Sequence, residues 1–315
     1  MNIYPGMARL PHFANGCALT IGNFDGVHLG HRKILQILKQ KANEYNIPSI
    51  LMVFEPHPRE YFARINNAEM LYRLTPLRDK LRLLEKTGLI DGVVVLRFNQ
   101  EFSLLSATDF VQKILLEKLN VKYLLVGDDF RFGSGRSGDF DFLSQHKELI
   151  VERMSSVEIT GSRASSTSVR KALQLGNLNE VKNLLGEAYS LSGRVMHGKK
   201  LGRTIGCPTA NIYLPHHRYP LNGVFVVDIA GDFGIKHGVA NFGFNPTVSE
   251  EKRQYLEVHI FDFNQNIYGQ RLEVAFLEKL RDEKKFSSIE ELKYQINQDM
   301  MIAKQWHDKQ RLQHG

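Results

Sequence analysis

Between Cys17 and Val126, short apolar runs alternate with amphipathic stretches, and that rhythm constrains the fold more than any other feature of the chain. Cys17 to Ile21, Ile50 to Phe54, Gly92 to Leu96 and Tyr123 to Val126 each have the length and uncharged character of a buried strand. The segments between them carry apolar residues at helical spacing. His31 to Tyr45 places Ile34, Leu38, Ala42 and Tyr45 on one face, and Arg78 to Lys86 and Thr108 to Leu119 also read as helices. Strand, helix, strand is the pattern of a parallel sheet covered by helices, because parallel neighbours need a long crossover. After Gly186 the texture changes. Gly223–Ala230, Gly238–Phe242, Tyr255–Phe261 and Leu272–Leu277 are strand-like runs separated by Gly, Asn, Asp and Pro, which marks an antiparallel β region. A polar amphipathic helix from about Ile289 to Trp306 follows. The predicted fold class is α/β plus β, with residues 1–186 as a first domain and 187–315 as a second.

Composition narrows the function. The 315 residues suffice for two ordinary domains, and 43% hydrophobic with 24% charged residues reads as globular. A net charge of +7 would suit a polyanion, yet no run of five or more basic residues occurs, so no nucleic-acid partner is predicted. An enzyme that handles nucleotide phosphates fits the charge as well. Cys17 and Cys207 lie in different halves without metal-ligand spacing, which argues against a zinc site or a disulfide framework. Met1 to His12 lacks the layout of a signal peptide, and no apolar run has the length of a membrane span. The expectation is a cytoplasmic protein with no membrane partner.

The first candidate site is Gly22-Asn23-Phe24-Asp25-Gly26-Val27-His28-Leu29-Gly30-His31, between the first strand and the first helix. Parallel sheets bind ligands at the carboxyl ends of their strands, and a helix N-terminus there offers unpaired amides to an anion. His28 and His31 add two side-chain donors, and Gly30 permits close approach of a phosphate to the backbone. With Gly22, Asn23 and Phe24 these residues form a predicted ATP-phosphate site. The bland alternative is a glycine-rich turn with two surface histidines. Further on, Ser165, Ser166 and Thr167 open a helical stretch, Ser168 to Leu175, with Arg170 one turn in. Hydroxyls there are ordinary N-caps, but with Arg170 they also suit a second clamp on a triphosphate. Two strand-end loops complete the pocket edge: Phe54 to Pro58, and Gly127 to Gly133. Two glycine patterns mislead. Gly133 to Gly138 has dinucleotide spacing but comes late in the domain and reads better as a mobile lid. Gly193 to Lys200 lacks the hydroxyl of a P-loop, since Lys200 takes that position.

The second candidate site spans Gly193 to Asn211. Its glycines and basic residues, among them Gly193, Lys199, Gly202 and Arg203, suit an anion cradle. Thr209 and Asn211 lie two apart, so in an extended segment they share a face, and their oxygens are hard ligands suited to a phosphate-bound Mg2+. In Tyr255 to Phe261 the apolar face is Leu256, Val258 and Ile260; Glu257 lies on the other, beside Tyr255 and His259. A strand glutamate is solvated by default, but a kinase acting on a neutral hydroxyl needs a proton acceptor, and Glu257 is the best-placed candidate.

These segments together resemble the bacterial bifunctional riboflavin kinase/FAD synthetase family, from about Ala18 to Ala303. The family's His-x-Gly-His is His28 to His31, its Ser-Ser-Thr-x-x-Arg is Ser165 to Arg170, and its Gly-Arg-Thr-x-Gly-x-Pro-Thr-Ala-Asn is Gly202 to Asn211. The resemblance implies a Rossmann-like nucleotidyltransferase domain that transfers AMP from ATP to FMN, giving FAD, and a small antiparallel β-barrel that phosphorylates riboflavin to FMN. It implies catalytic roles for His28, His31, Arg170 and Glu257, flavin contacts from Asp129, Phe130 and Arg131, and Mg2+ held at Thr209 and Asn211. Cys207 departs from the pattern, standing where the family usually has a bulky aromatic, and Asp129 stands where some members carry Asn. Two other readings compete: a nucleotidyltransferase for another phosphate-bearing acceptor, such as phosphopantetheine or nicotinamide mononucleotide, and a silent flavin- or nucleic-acid-binding regulator. The first leaves the Pro208 to Asn211 segment without a purpose. Retention of the proposed catalytic groups argues against the second.

Overall fold

Strands that are apolar on both faces belong in the middle of a covered sheet. In this computed structural model, which describes residues 1–154, 158–159, 162–198, 207–215, 218–244 and 254–314, they lie there. The first sheet comprises β1 (Asn2–Pro5), β2 (Cys17–Ile21), β3 (Ser49–Glu55), β4 (Gly92–Arg97), β5 (Val121–Gly127) and β6 (Ile150–Met154). All pairings are parallel, in the order β1-β4-β3-β2-β5-β6. Side chains alternate between two cores. Leu19, Met52, Val94 and Leu124 pack with Phe110, Val111, Ile114 and Leu115 on one face. Leu51, Val53 and Val93 face the other way with Leu35 and Leu84, and Ala18 and Leu125 pack with Leu38 and Ala42. Each fully buried aliphatic side chain contributes roughly 1.5–3 kcal/mol relative to exposure.

The helices on that second face are α1 (Leu29–Glu44) and α3 (Leu77–Thr87), with α2 (Pro58–Ile65) between them in the chain. The first core is covered by a turn at Ala107–Asp109 that continues as a π-helix over Phe110–Lys118. Helix α1 starts two residues earlier than the periodicity predicts. Its buried stripe is Gly30, Leu35, Leu38 and Ala42, whereas Tyr45 is the exposed C-cap residue. From β2 the chain moves outward through β3 to β4, then returns to place β5 on the other side of β2. The carboxyl ends of β2 and β5 thus border a topological switch point, where open α/β sheets bind ligands.

The second fold element is a closed antiparallel barrel of β9 (Ser190–Met196), β10 (Ala210–Tyr213), β11 (Gly223–Gly231), β12 (Gly234–Phe244), β13 (Gln254–Ile260) and β14 (Arg271–Arg281). A two-strand ribbon, β7 (Glu158–Ile159) with β8 (Ser162–Arg163), precedes it in the chain. Pairing of β9 with both β10 and β14 closes the barrel and leaves no free edge among these strands. Inside, Phe225, Phe242 and Phe276 meet edge to face at centroid distances of 5.3 and 6.1 Å. Three more helices belong to this part of the chain: α4 (Ser166–Gln174), α5 (Leu178–Leu185) and α6 (Ile289–His314). Helix α6 lies on the outer wall, where Ala303, Met300 and Trp306 pack with Val226 and Phe261.

By compactness the chain forms two units, Met1–Leu71 with Leu77–Ser166, and Tyr72–Pro76 with Thr167–Gly315. The short segment Tyr72–Pro76 joins the barrel's unit through the Arg73 amide, which donates to the Arg218 carbonyl at 2.6 Å, and the Tyr189 hydroxyl, which donates to the Leu74 carbonyl at 2.6 Å.

Candidate active sites

The loop after β2 is held in an uncommon backbone conformation. Phe24 and Val27 take φ of 47° and 44°, with Gly26 between them at 87°. A left-handed β-branched residue costs of order 1–3 kcal/mol and persists only where its surroundings over-determine it. Here both side chains are buried in the core beside α1. Ser166 fastens the loop from the other side, its hydroxyl donating to the Asp25 carbonyl at 2.8 Å.

His28 is the N-cap of α1. Its Nδ1 accepts from the His31 amide at 3.3 Å, so Nδ1 carries no proton and the neutral ring has its N–H on Nε2. The His28 and His31 rings stack at 3.6 Å, and Phe24 stacks on His31 at 4.4 Å. Both imidazoles are thereby fixed at the start of a helix, beside a strand end at the switch point. Gly30 has a packing reason: a Cβ there would lie 2.9 Å from the Ala164 carbonyl oxygen and 3.1 Å from the His28 ring. Asn23 presents a buried side-chain oxygen on the same loop.

The loop after β5 borders the same switch point. Asp129 and Arg131 are exposed, Arg131 pairs with Asp139, and Phe130 stacks on Phe132 at 5.6 Å. The glycine-rich stretch that follows is pinned rather than loose. Phe132 and Gly138 exchange two backbone hydrogen bonds, of 3.1 and 2.9 Å, and Ser134 donates to Leu105 at 2.7 Å. Thr167 is exposed, and the Arg170 guanidinium donates through Nε to the Tyr72 carbonyl at 2.6 Å.

In the barrel, register does what sequence order cannot. Asn211 of β10 and Asn241 of β12 both lie directly opposite Glu257 of β13. Directly opposed residues share a face, so two carboxamides flank one carboxylate. Glu257 is half-buried, not solvated, and burial raises its carboxyl above the ordinary glutamate range. Among the described residues no cation or donor pairs with it. Asn241 Nδ2 donates to the Tyr255 hydroxyl at 3.0 Å, and that hydroxyl donates to Glu283 at 2.7 Å. Asn241 Oδ1 is buried with no partner among the described residues.

Gly198 abuts the Asn211 carboxamide so closely that a Cβ would fall 2.2 Å from Nδ2. Gly193, read from sequence as part of an anion-binding loop, instead sits inside β9, where a Cβ would fall 2.2 Å from the Tyr213 carbonyl oxygen. Lys199, Gly202 and Arg203 lie outside the described residues. A cavity of about 770 Å³ opens beside Pro208 and Thr209, walled by Val195, Val258, Ile260 and the 263–268 loop. It touches Thr209 but neither Asn211 nor Glu257, which face the other side of the barrel wall. Cys207 is buried, its sulfur 3.9 Å from that of Met300, and burial pushes its thiol up to about 11.

Two families match this chain in sequence, FAD synthetase over residues 10–168 and riboflavin kinase over residues 185–307. The bifunctional riboflavin kinase/FMN adenylyltransferase of Haemophilus influenzae is 47% identical over 308 residues, covering 96% of this chain and 98% of that protein. The chain belongs to the bifunctional riboflavin kinase/FMN adenylyltransferase family. The Escherichia coli K12 protein of that name is 45% identical over 296 residues, covering 92% of this chain and 93% of its own. Among solved structures, one described as a macrolide-efflux protein from Streptococcus pneumoniae superposes with a TM-score of 0.80 at 29% identity, covering 97% of this chain and all of that one. That likeness is one of fold, and the efflux description stays with that protein. Among the described residues no helix is long and apolar enough to cross a membrane.

Within this family frame, linear motifs led to His28, His31, Ser166, Thr209 and Asn211. Asn241 is absent from any linear motif, and Tyr255 is placed by strand alternation on the Glu257 face without a role. The signal of Asn241 is its register opposite Glu257, and only strand pairing reveals it.

Proposed function

We propose that the barrel half, residues 187–315, transfers the γ-phosphoryl group of ATP to the 5′-hydroxyl of riboflavin, and that residues 1–186 then transfer AMP from a second ATP to FMN, releasing pyrophosphate. The protein is thus a riboflavin kinase and an FMN adenylyltransferase, and a cytoplasmic setting suits the ATP demand of both steps. The observation that carries the residue assignment is the half-buried Glu257 carboxylate flanked by Asn211 and Asn241.

The two reactions ask different things of the protein. Riboflavin's hydroxyl is neutral, so its proton must be accepted as the O–P bond forms, and Glu257 accepts it. The Thr209 hydroxyl and the Asn211 carboxamide oxygen are the groups suited to hold Mg2+. The fit rests on Gly198, whose missing side chain leaves Asn211 its place. When bound, Mg2+ neutralises charge on the ATP phosphates. Asn241 orients the Glu257 side of the strand through Tyr255.

FMN arrives with a phosphate that is already an anion, so adenylyl transfer needs alignment and charge neutralisation rather than a strong base. His28 Nε2–H, His31 and the first-turn amides of α1 supply donors to the ATP phosphates. Ser165, Ser166, Thr167 and Arg170 supply the second clamp, and Asp129, Phe130 and Arg131 the flavin contacts. A chromatographic time course with riboflavin, ATP and Mg2+ tests both halves. Wild type makes FMN and then FAD, Glu257→Gln makes neither from riboflavin but still converts added FMN, and His28→Asn stops at FMN. If Glu257→Gln keeps full FMN formation, the assignment of the base is wrong.

A further inference from the structure

Helix α6 buries one stripe against the barrel: Asp299, Ala303 and His307, each 5% exposed or less. Ala303 is packing, and Asp299 is matched by Arg281 through contacts of 2.7 to 3.1 Å. His307 has a different environment. Its ring stacks on His237 at 4.0 Å and 28°, and its Nδ1 lies 3.9 Å from Asp228 Oδ1. The Val227 backbone also bonds the ring, yet Nε2 is buried with no hydrogen-bond partner among the described residues. His237 stands opposite Asp228 across β11 and β12, with Nδ1 2.7 Å from Oδ1. Two imidazoles and a carboxylate from three elements therefore converge, each offering a ligand atom within 4.8 Å of the others.

We propose that Asp228, His237 and His307 form a binding site for a transition-metal dication of the Zn2+ class, which fastens the C-terminal helix to the barrel wall. The donor set decides the class. Two imidazole nitrogens with one carboxylate oxygen suit Zn2+, Co2+ or Ni2+, whereas Mg2+ prefers oxygen ligands throughout. Tetrahedral coordination at about 2.0–2.1 Å sets ligand atoms about 3.3 Å apart, so the group must contract by roughly 1.5 Å at most. The side chains of His237 and Asp228, 33% and 34% exposed, have room for that adjustment.

A purely hydrogen-bonded cluster accounts for His237 and Asp228 but leaves one nitrogen of His307 buried and unsatisfied. With Nδ1 donating to the Val227 carbonyl, the usual support of a ligating histidine, Nε2 is the unprotonated nitrogen that a dication satisfies. Burial first, and the neighbouring His237 second, lower the pKa of His307, which keeps the ring in the neutral form that ligation requires. Three protein ligands leave a fourth position for water. The site lies on the helix-covered outer wall and is independent of the flavin and ATP assignments.

The test uses the full-length protein, stripped with chelator and free of nucleotide, titrated with ZnCl2 at pH 7.5 by calorimetry and followed by thermal unfolding. The expected result is one tight equivalent of Zn2+ and a Tm raised on the order of 5 °C at saturating metal. His237→Gln and Asp228→Asn, at part-exposed positions, should each weaken binding at least roughly tenfold and abolish the Tm shift. Co2+ in place of Zn2+ should give visible absorption bands of a tetrahedral site that vanish in His237→Gln. Absence of saturable Zn2+ binding by wild type would overturn the proposal. So would Zn2+ binding of unchanged affinity in both variants.

Discussion

Glu257 carries a penalty that its role explains. Burial raises its carboxyl, so the folded protein holds a proton there at pH values where the unfolded chain has already released it. Stability from this group therefore grows as pH falls through the window between the ordinary glutamate value and the raised one, and is lower above it. Replacing the charge with an amide should remove the penalty. Glu257→Gln is expected to lower FMN formation by roughly 10²- to 10⁴-fold while Tm at neutral pH stays level or rises. A base must also be deprotonated to act, so the acid limb of the kinase pH profile should sit above the usual carboxylate range and vanish in this variant. His28 allows a similar separation of roles. Asn is a good N-cap and Ala is not, so His28→Asn should keep the stability that His28→Ala loses, about 1 kcal/mol by denaturant titration. Both variants should lose FAD formation by roughly 10²- to 10³-fold if the imidazole serves the transferring phosphates.

Among the elements, α6 is held to the barrel by the Arg281–Asp299 pair, whose side chains are 15% and 5% exposed. Removing one partner of such a pair strands the other in a poorly solvated place. Asp299→Ala should destabilise the protein by about 3 kcal/mol, measurable as a lower urea midpoint, with early hydrogen exchange in α6. The elements that sequence made legible share a cause. β2 to β5 are apolar on both faces because helices cover both, and the barrel strands β11 to β14 carry long β-branched or aromatic runs. The edge strands were not legible: β1 is four residues ending in Pro5, and β6 places Glu152 and Arg153 in its middle. Charge and proline at an edge deter unwanted pairing, and they also erase the periodic signal. β9 was hidden by Gly193 and Arg194, a glycine forced by the closeness of Tyr213. The candidate sites divide in the same way. His28 and His31 sit on one turn and can be read from one line of sequence, whereas the Asn211–Glu257–Asn241 row joins three strands and depends on their register.

At the scale of the whole molecule, one chain holds a kinase whose product is the substrate of its second activity, and each step draws its own ATP. The chain is not cut into halves at one point, since Tyr72–Pro76 belongs to the barrel's unit. Arg73 and Leu74 are fully buried there, against partners at Arg218 and Tyr189. A fragment of residues 1–186 loses both partners. It is expected to be cleaved near residues 72–76 by limited proteolysis under conditions in which the full chain resists, and resistance of the fragment would show that this segment finds other cover.

Closure of the barrel also sets an order in time. Leu191 of β9 pairs with Val274 of β14, so the first barrel strand to leave the ribosome waits for a partner about 83 positions later. At about 5–20 residues per second that is a delay of roughly 4 to 17 s. For that interval β9 has one edge without its final neighbour, which makes it the strand a nascent-chain chaperone would be expected to meet.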